Sequence, residues 1–180
     1  MQWVDRLQEA VGWQEAPWEC DWTETETELG TALPSDFKAM YGRFGPGYFS
    51  LVLWLRGDRG RNSLIGSWRR FQESYTRRRE AGQPSDTFKP YQIYLPGQGE
   101  GVIPWGWSQT DGRFYWLADS DTDPDTWPVV CTLETGGEWY LAAVSTSEFV
   151  YRVLADPGFE PYSVAEFVNP PTFNRPDALD

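Results

Sequence analysis

Residues 101–133 constrain the fold of this chain more than any other segment. Three short apolar or aromatic runs, 102–107, 113–118 and 127–133, are separated by two punctuated connections. The first connection carries Asp111-Gly112, a pair that tolerates positive φ and marks a tight hairpin. The second holds Asp119, Asp121, Asp123 and Asp125 together with Pro124, which has no N–H to give to a ladder. The pattern predicts a three-stranded antiparallel meander with an acidic tip, a surface suited to binding and without evident catalytic machinery.

The flanking segments are read from periodicity. Residues 3–11 place Trp3, Val4, Leu7, Ala10 and Val11 on one helical face, with Gly12 as the stop. A short helix is expected over 23–29. In the next, Ser35 is placed to cap, and Phe37, Met40, Tyr41 and Phe44 fall at i, i+3, i+4 and i+7. Residues 48–55 are apolar almost throughout and predict one strand inside the sheet. The longest helix is expected over 62–80, capped by Asn62 or Ser63, with Leu64, Trp68, Phe71 and Tyr75 as its apolar stripe. Residues 81–90 read as a polar loop and the most mobile internal segment. Strands are expected at 91–95 and 138–144, the latter after a turn at 135–137. A helix opened by a Ser145/Glu148 capping box buries Phe149, Val150, Val153 and Leu154. The sum is an α+β fold: a mainly antiparallel mixed sheet of about five or six strands with helices largely on one face. Residues 1–158 form a single domain that includes the inserted basic helix, and 159–180 a proline-rich extended tail packed on it.

Composition narrows the chemistry. The chain has 180 residues, 11 of them Trp, and a net charge of −12. No apolar run approaches the roughly 20 residues that span a bilayer, and the first residues lack a secretion-signal pattern, so a cytoplasmic protein is expected. Histidine is absent. This removes the usual general base near neutral pH and any Ser-His-Asp or Cys-His nucleophile system, and no enzyme is expected. Cys20 and Cys131 share no motif and are expected to be reduced. Charge is uneven: residues 56–79 hold eight arginines against Asp58 and Glu73, a local +6, leaving −18 on the remainder. Such a body repels nucleic acid and steers basic partners.

Three blocks of residues resemble one family. Pro104-Trp105-Gly106, Asp111-Gly112, the strand ending near Trp116 and Trp127-Pro128-Val129-Val130 are similar to the core of the SUKH superfamily, which includes fungal Smi/Knr-type regulators and many bacterial immunity proteins. Leu29-Gly30, Leu33-Pro34-Ser35-Asp36-Phe37, Tyr41 and Gly45-Pro46-Gly47 resemble its amino-terminal helix and turn, and 145–154 its closing helix. The resemblance covers about residues 20–155; the segment 56–95 and the tail have no counterpart. It implies a mixed sheet flanked by helices and, as function, stoichiometric neutralisation of a protein toxin, in many cases a nuclease with a cationic cleft.

Candidate sites carry competing readings. The Asp119, Asp121, Asp123, Asp125 loop begins like a calcium loop, yet Pro124 stands where glycine is needed and Val130 where glutamate is needed. It reads otherwise as a solvated turn or a partner-facing anionic patch. Trp105, Trp107 and Trp127 are core residues, protein anchors or sugar-stacking platforms; together with the loop they are the expected partner-binding set. The arginine helix pairs with the acidic body, lines a groove, or contacts phosphates. Gly97, Gly99 and Gly101 form a loop without the helix and lysine of a phosphate cradle. Glu24 and Glu28 share a helical face that excludes Glu26. No cofactor or metal is expected. The leading expectation is a cytoplasmic immunity protein; a regulatory scaffold of the fungal kind and a carbohydrate-binding domain are the alternatives.

Overall fold

The expected meander forms the middle of the sheet. The computed structural model describes residues 2–60, 62–83, 88–132, 137–160 and 162–175. Its strands are β1 (Tyr48–Phe49), β2 (Leu53–Leu55), β3 (Gly101–Trp107), β4 (Arg113–Ala118), β5 (Val129–Thr132), β6 (Trp139–Ala142) and β7 (Phe173–Asn174), in spatial order β6-β5-β4-β3-β2-β1-β7. Among the described residues every strand pairing is antiparallel, and parallel geometry is confined to the isolated bridges Gly57–Ser63 and Ile93–Val102. With five α-helices among the described residues the fold is α+β.

Parity along the strands divides the sheet into two faces. Trp105, Phe114 and Trp116 point to one, where Phe37 of α3 (Ser35–Phe44) and Phe149 of α5 (Thr146–Ala155) meet them edge-on. Helix α1 (Gln2–Val11) packs across α3 and α5, burying Val4 and Leu7. Tyr115 points to the other face, where Phe88, in the segment after α4 (Leu64–Glu80), sits edge-on between it and Phe71 of α4. Helix α2 (Thr23–Leu29) docks against α4. Gly30, in the left-handed region, ends α2, and Ser63 caps α4 by accepting from Gly66 N–H at 3.1 Å.

Five expectations change. The 48–55 run is a hairpin, because Ser50 and Leu51 both take positive φ (51° and 62°) and Val52 N–H closes the turn on Phe49 C=O at 2.9 Å. Three residues, Ser50 to Val52, thus connect the paired Phe49 and Leu53, and the turn leaves Leu51 exposed. The 91–95 segment makes only the single bridge at Ile93 and is no strand. The tail adds an edge strand: β7 pairs with β1, and Arg175 donates to Phe44 C=O at 2.8 Å. These changes take the strand count to seven. Finally, Ser35 is the first helical residue of α3, behind Pro34, and its hydroxyl does not cap it. In the closing helix Ser145 Oγ accepts from Glu148 N–H at 3.4 Å, but the Glu148 carboxylate pairs with Arg152, so half of the expected capping box forms. Residues 84–87 of the expected mobile loop, and 135–136 of the expected turn, lie outside the described residues.

Candidate functional site

The acidic loop is organised by its own side chains. Asp119 accepts the N–H of Asp121 at 3.1 Å, and Asp123 that of Asp125 at 3.0 Å, opening a short 3-10 helix at Pro124–Thr126. Asp125 accepts both the N–H (2.5 Å) and the hydroxyl (2.8 Å) of Ser35. The Trp127 indole N–H reaches Asp119 C=O and Thr122 Oγ1 at 3.3 and 3.1 Å, so the loop closes around that ring. Asp121 and Asp123 are exposed, and among the described residues the Asp121 carboxylate accepts no hydrogen bond. The Asp119, Asp123 and Asp125 carboxylates turn to backbone N–H groups and to α3. Among the described residues no group of three or more His, Cys, Asp or Glu side chains is placed to hold a metal ion.

The tryptophans do not gather at this loop. Trp105 is 0% exposed and Trp127 4% exposed, which removes both as partner anchors in this conformation: one is packed between Phe37 and Phe149, the other pinned under the loop. Trp107 is half-exposed at the far end of the β3–β4 hairpin, about 20 Å along the strands from the aspartates. A β-bulge between Pro104 and Gly106 separates it from Trp105. One extra residue there reverses the side-chain parity, so Trp105 enters the helix-packed core and Trp107 emerges on the opposite face.

That opposite face carries a cross-strand row unseen from sequence. Tyr48, Trp54, Trp107 and Arg113 are successive register partners. Tyr48 and Trp54 rings lie 4.2 Å apart, and Trp54 stacks on Trp107 at 5.7 Å and 21°. Arg56, just beyond β2, lays its guanidinium 4.9 Å over Trp107 and donates to Ser67 Oγ of α4. The signal was available: in Leu53-Trp54-Leu55-Arg56 the period of two puts Trp54 and Arg56 on one face.

Other charged candidates are structural. Arg69 of the arginine helix takes Glu28 as a two-pronged partner and reaches Glu24 at 2.8 Å; these bonds hold the Glu28 carboxyl below its ordinary range. Glu26 instead receives Lys38 at 2.7 Å and Leu33 N–H at 2.9 Å. Both cysteines are free thiols, and burial pushes Cys131 up to about 12. An open groove of about 380 Å³ lies between Tyr75 of α4, Tyr91 and the start of β3, and includes none of the sequence-predicted site residues. No helix among the described residues is long and apolar enough to cross a membrane. No protein-family model, curated protein or solved structure matches this chain.

Proposed function

We propose that this chain is an immunity protein of the SUKH type, which neutralises a basic protein toxin, most simply a nuclease domain, by stoichiometric binding in the cytoplasm. The carrying observation is the acidic loop: Trp127 holds its backbone at Asp119, Ser35 holds the Asp125 carboxylate, and this braced loop presents the exposed Asp121 and Asp123. On a body of net charge −12, carboxylates displayed on a held loop accelerate encounter with a cationic cleft and occupy it. The contact set is smaller than the sequence suggested, with Asp121 and Asp123 outermost and Asp119 and Asp125 bracing them.

Affinity capture of the tagged chain from its native cytoplasm, across a salt series with mass spectrometry, tests the reading. One stoichiometric partner with a basic domain, released only at high salt, supports it. Several weak partners indicate a regulatory scaffold instead. The carbohydrate-binding reading loses ground because Trp54 and Trp107 cover one another's faces and leave little open ring for a sugar.

A further inference from the structure

Arg56 is the buried charge that the fold does not explain. It is 8% exposed, yet among the described residues no carboxylate pairs with it. Its guanidinium has the Ser67 hydroxyl and the Trp107 ring, and its Nε–H is buried without an acceptor. Ser67 Oγ also takes a bond from Arg70 at 2.8 Å, so two guanidinium groups converge on one neutral oxygen. A third, Arg113, is the cross-strand neighbour of Trp107; it is half-exposed and steadied by Gly112 C=O at 3.2 Å and Asp111 at 3.5 Å. Desolvation, with Arg70 and Arg113 adding repulsion, pulls Arg56 down to about 10.

A buried cation of this kind costs stability unless an anion meets it. The Trp54–Trp107 stack walls one side of the corner with apolar ring surface, and a low-dielectric wall strengthens attraction to an incoming negative group. Guanidinium groups match the paired oxygens of carboxylates and phosphates, and the Arg56 Nε–H is left without an acceptor. We propose that Arg56 and Arg113, against the Trp107 wall, form a binding site for the oxyanion group, carboxylate or phosphate, of a small ligand. The site is independent of the toxin-binding reading, since it lies at the far end of the β3–β4 hairpin from Asp121 and Asp123.

Proton–nitrogen NMR of the arginine Nε–H groups, paired with tryptophan fluorescence, tests it. The intact chain is titrated with inorganic phosphate and separately with sodium acetate, each against sodium chloride at equal ionic strength. A saturable shift of the Arg56 Nε–H signal, absent with chloride, is expected. The tighter anion identifies the source: phosphate points to phosphate esters, acetate to carboxylic acids. Arg113→Gln should weaken binding about tenfold with the fold unchanged, because a charge-assisted bond is lost from a half-exposed side chain. Arg56→Met should abolish the saturable fluorescence change; if that variant does not fold, Arg113→Gln decides alone. Shifts that chloride reproduces at the same ionic strength, or an affinity unchanged in Arg113→Gln, would overturn the proposal.

Discussion

Asp125 holds Ser35 across 90 residues of chain, its two carboxylate oxygens taking the N–H and the hydroxyl at the first residue of α3. Pro34 precedes that helix and offers no side-chain acceptor, so the acidic loop supplies the missing cap and places negative charge at the positive end of the helix dipole. The device is repeated one layer on: Asp36 of α3 accepts Ser147 N–H of α5 at 2.7 Å. The loop, α3 and α5 are therefore locked in series above Trp105 and Trp116.

This separates stabilising from functional aspartates. Asp125→Ala should cost about 1–2 kcal/mol, the usual loss for a helix cap. The double change Asp121→Asn, Asp123→Asn should stay within about 0.5 kcal/mol of the parent, as surface substitutions do. It should also slow association with a basic partner about tenfold at low salt, and less at high salt. Urea midpoints and stopped-flow association rates read the two effects independently. Unchanged association in the double variant would remove the loop as a steering element.

Gly47 sets how the tail docks. A Cβ there would come within 2.4 Å of Asn174 C=O and 2.5 Å of Phe173, the two residues of β7. Gly47→Ala should therefore displace β7 from β1, destabilise the protein by about 1–3 kcal/mol, and expose the tail to protease. Limited proteolysis with mass spectrometry would show early cleavage after residue 160; a tail as resistant as in the parent would contradict this account.

Alkaline pH should unfold the protein from about pH 9 upward. Burial raises Cys131 from 9.0 to about 12, and Tyr115 and Tyr162 from 10.0 to about 12; Tyr41 is raised as well, by burial first and then by the neighbouring Asp58. Across that window the unfolded chain releases protons that the native state retains, so native stability falls as pH rises. Arg56 acts in the opposite sense, since its native form gives up a proton near 10 while the unfolded chain holds it to higher pH. The raised thiols and phenols outnumber Arg56, which leaves a net loss. Urea midpoints at several pH values between about 8 and 11 should decline, and a flat profile would show that these side chains are wetter than their burial implies.

The β1–β2 turn stores strain at an exposed position. Leu51 is 55% exposed at φ 62°, a conformation costing a non-glycine residue about 1–2 kcal/mol. Leu51→Gly should raise stability by about 0.5–1 kcal/mol, since glycine's own entropic loss offsets part of the relief. Calorimetry should give a higher Tm. A lower Tm would mean that the Leu51 side chain contributes packing that outweighs the strain.

Sequence alone determined the parts governed by local periodicity and punctuation. The helices at α1, α2, α3, α4 and α5, the Asp111-Gly112 hairpin and the α+β class follow from apolar spacing, caps and turn residues, because those forces act within a few positions. The tertiary structure decided what depends on parity and on partners far along the chain. The bulge after Pro104 sends Trp107 away from Trp105, although simple alternation puts them on one face. Asp125 becomes a cap because a distant helix starts with Pro34-Ser35, and Arg56 meets Ser67 and Trp107 because α4 crosses the sheet there. A one-residue shift of register, or a contact across 90 positions, leaves no local trace in the spacing of side chains, and packing of the whole chain selects it.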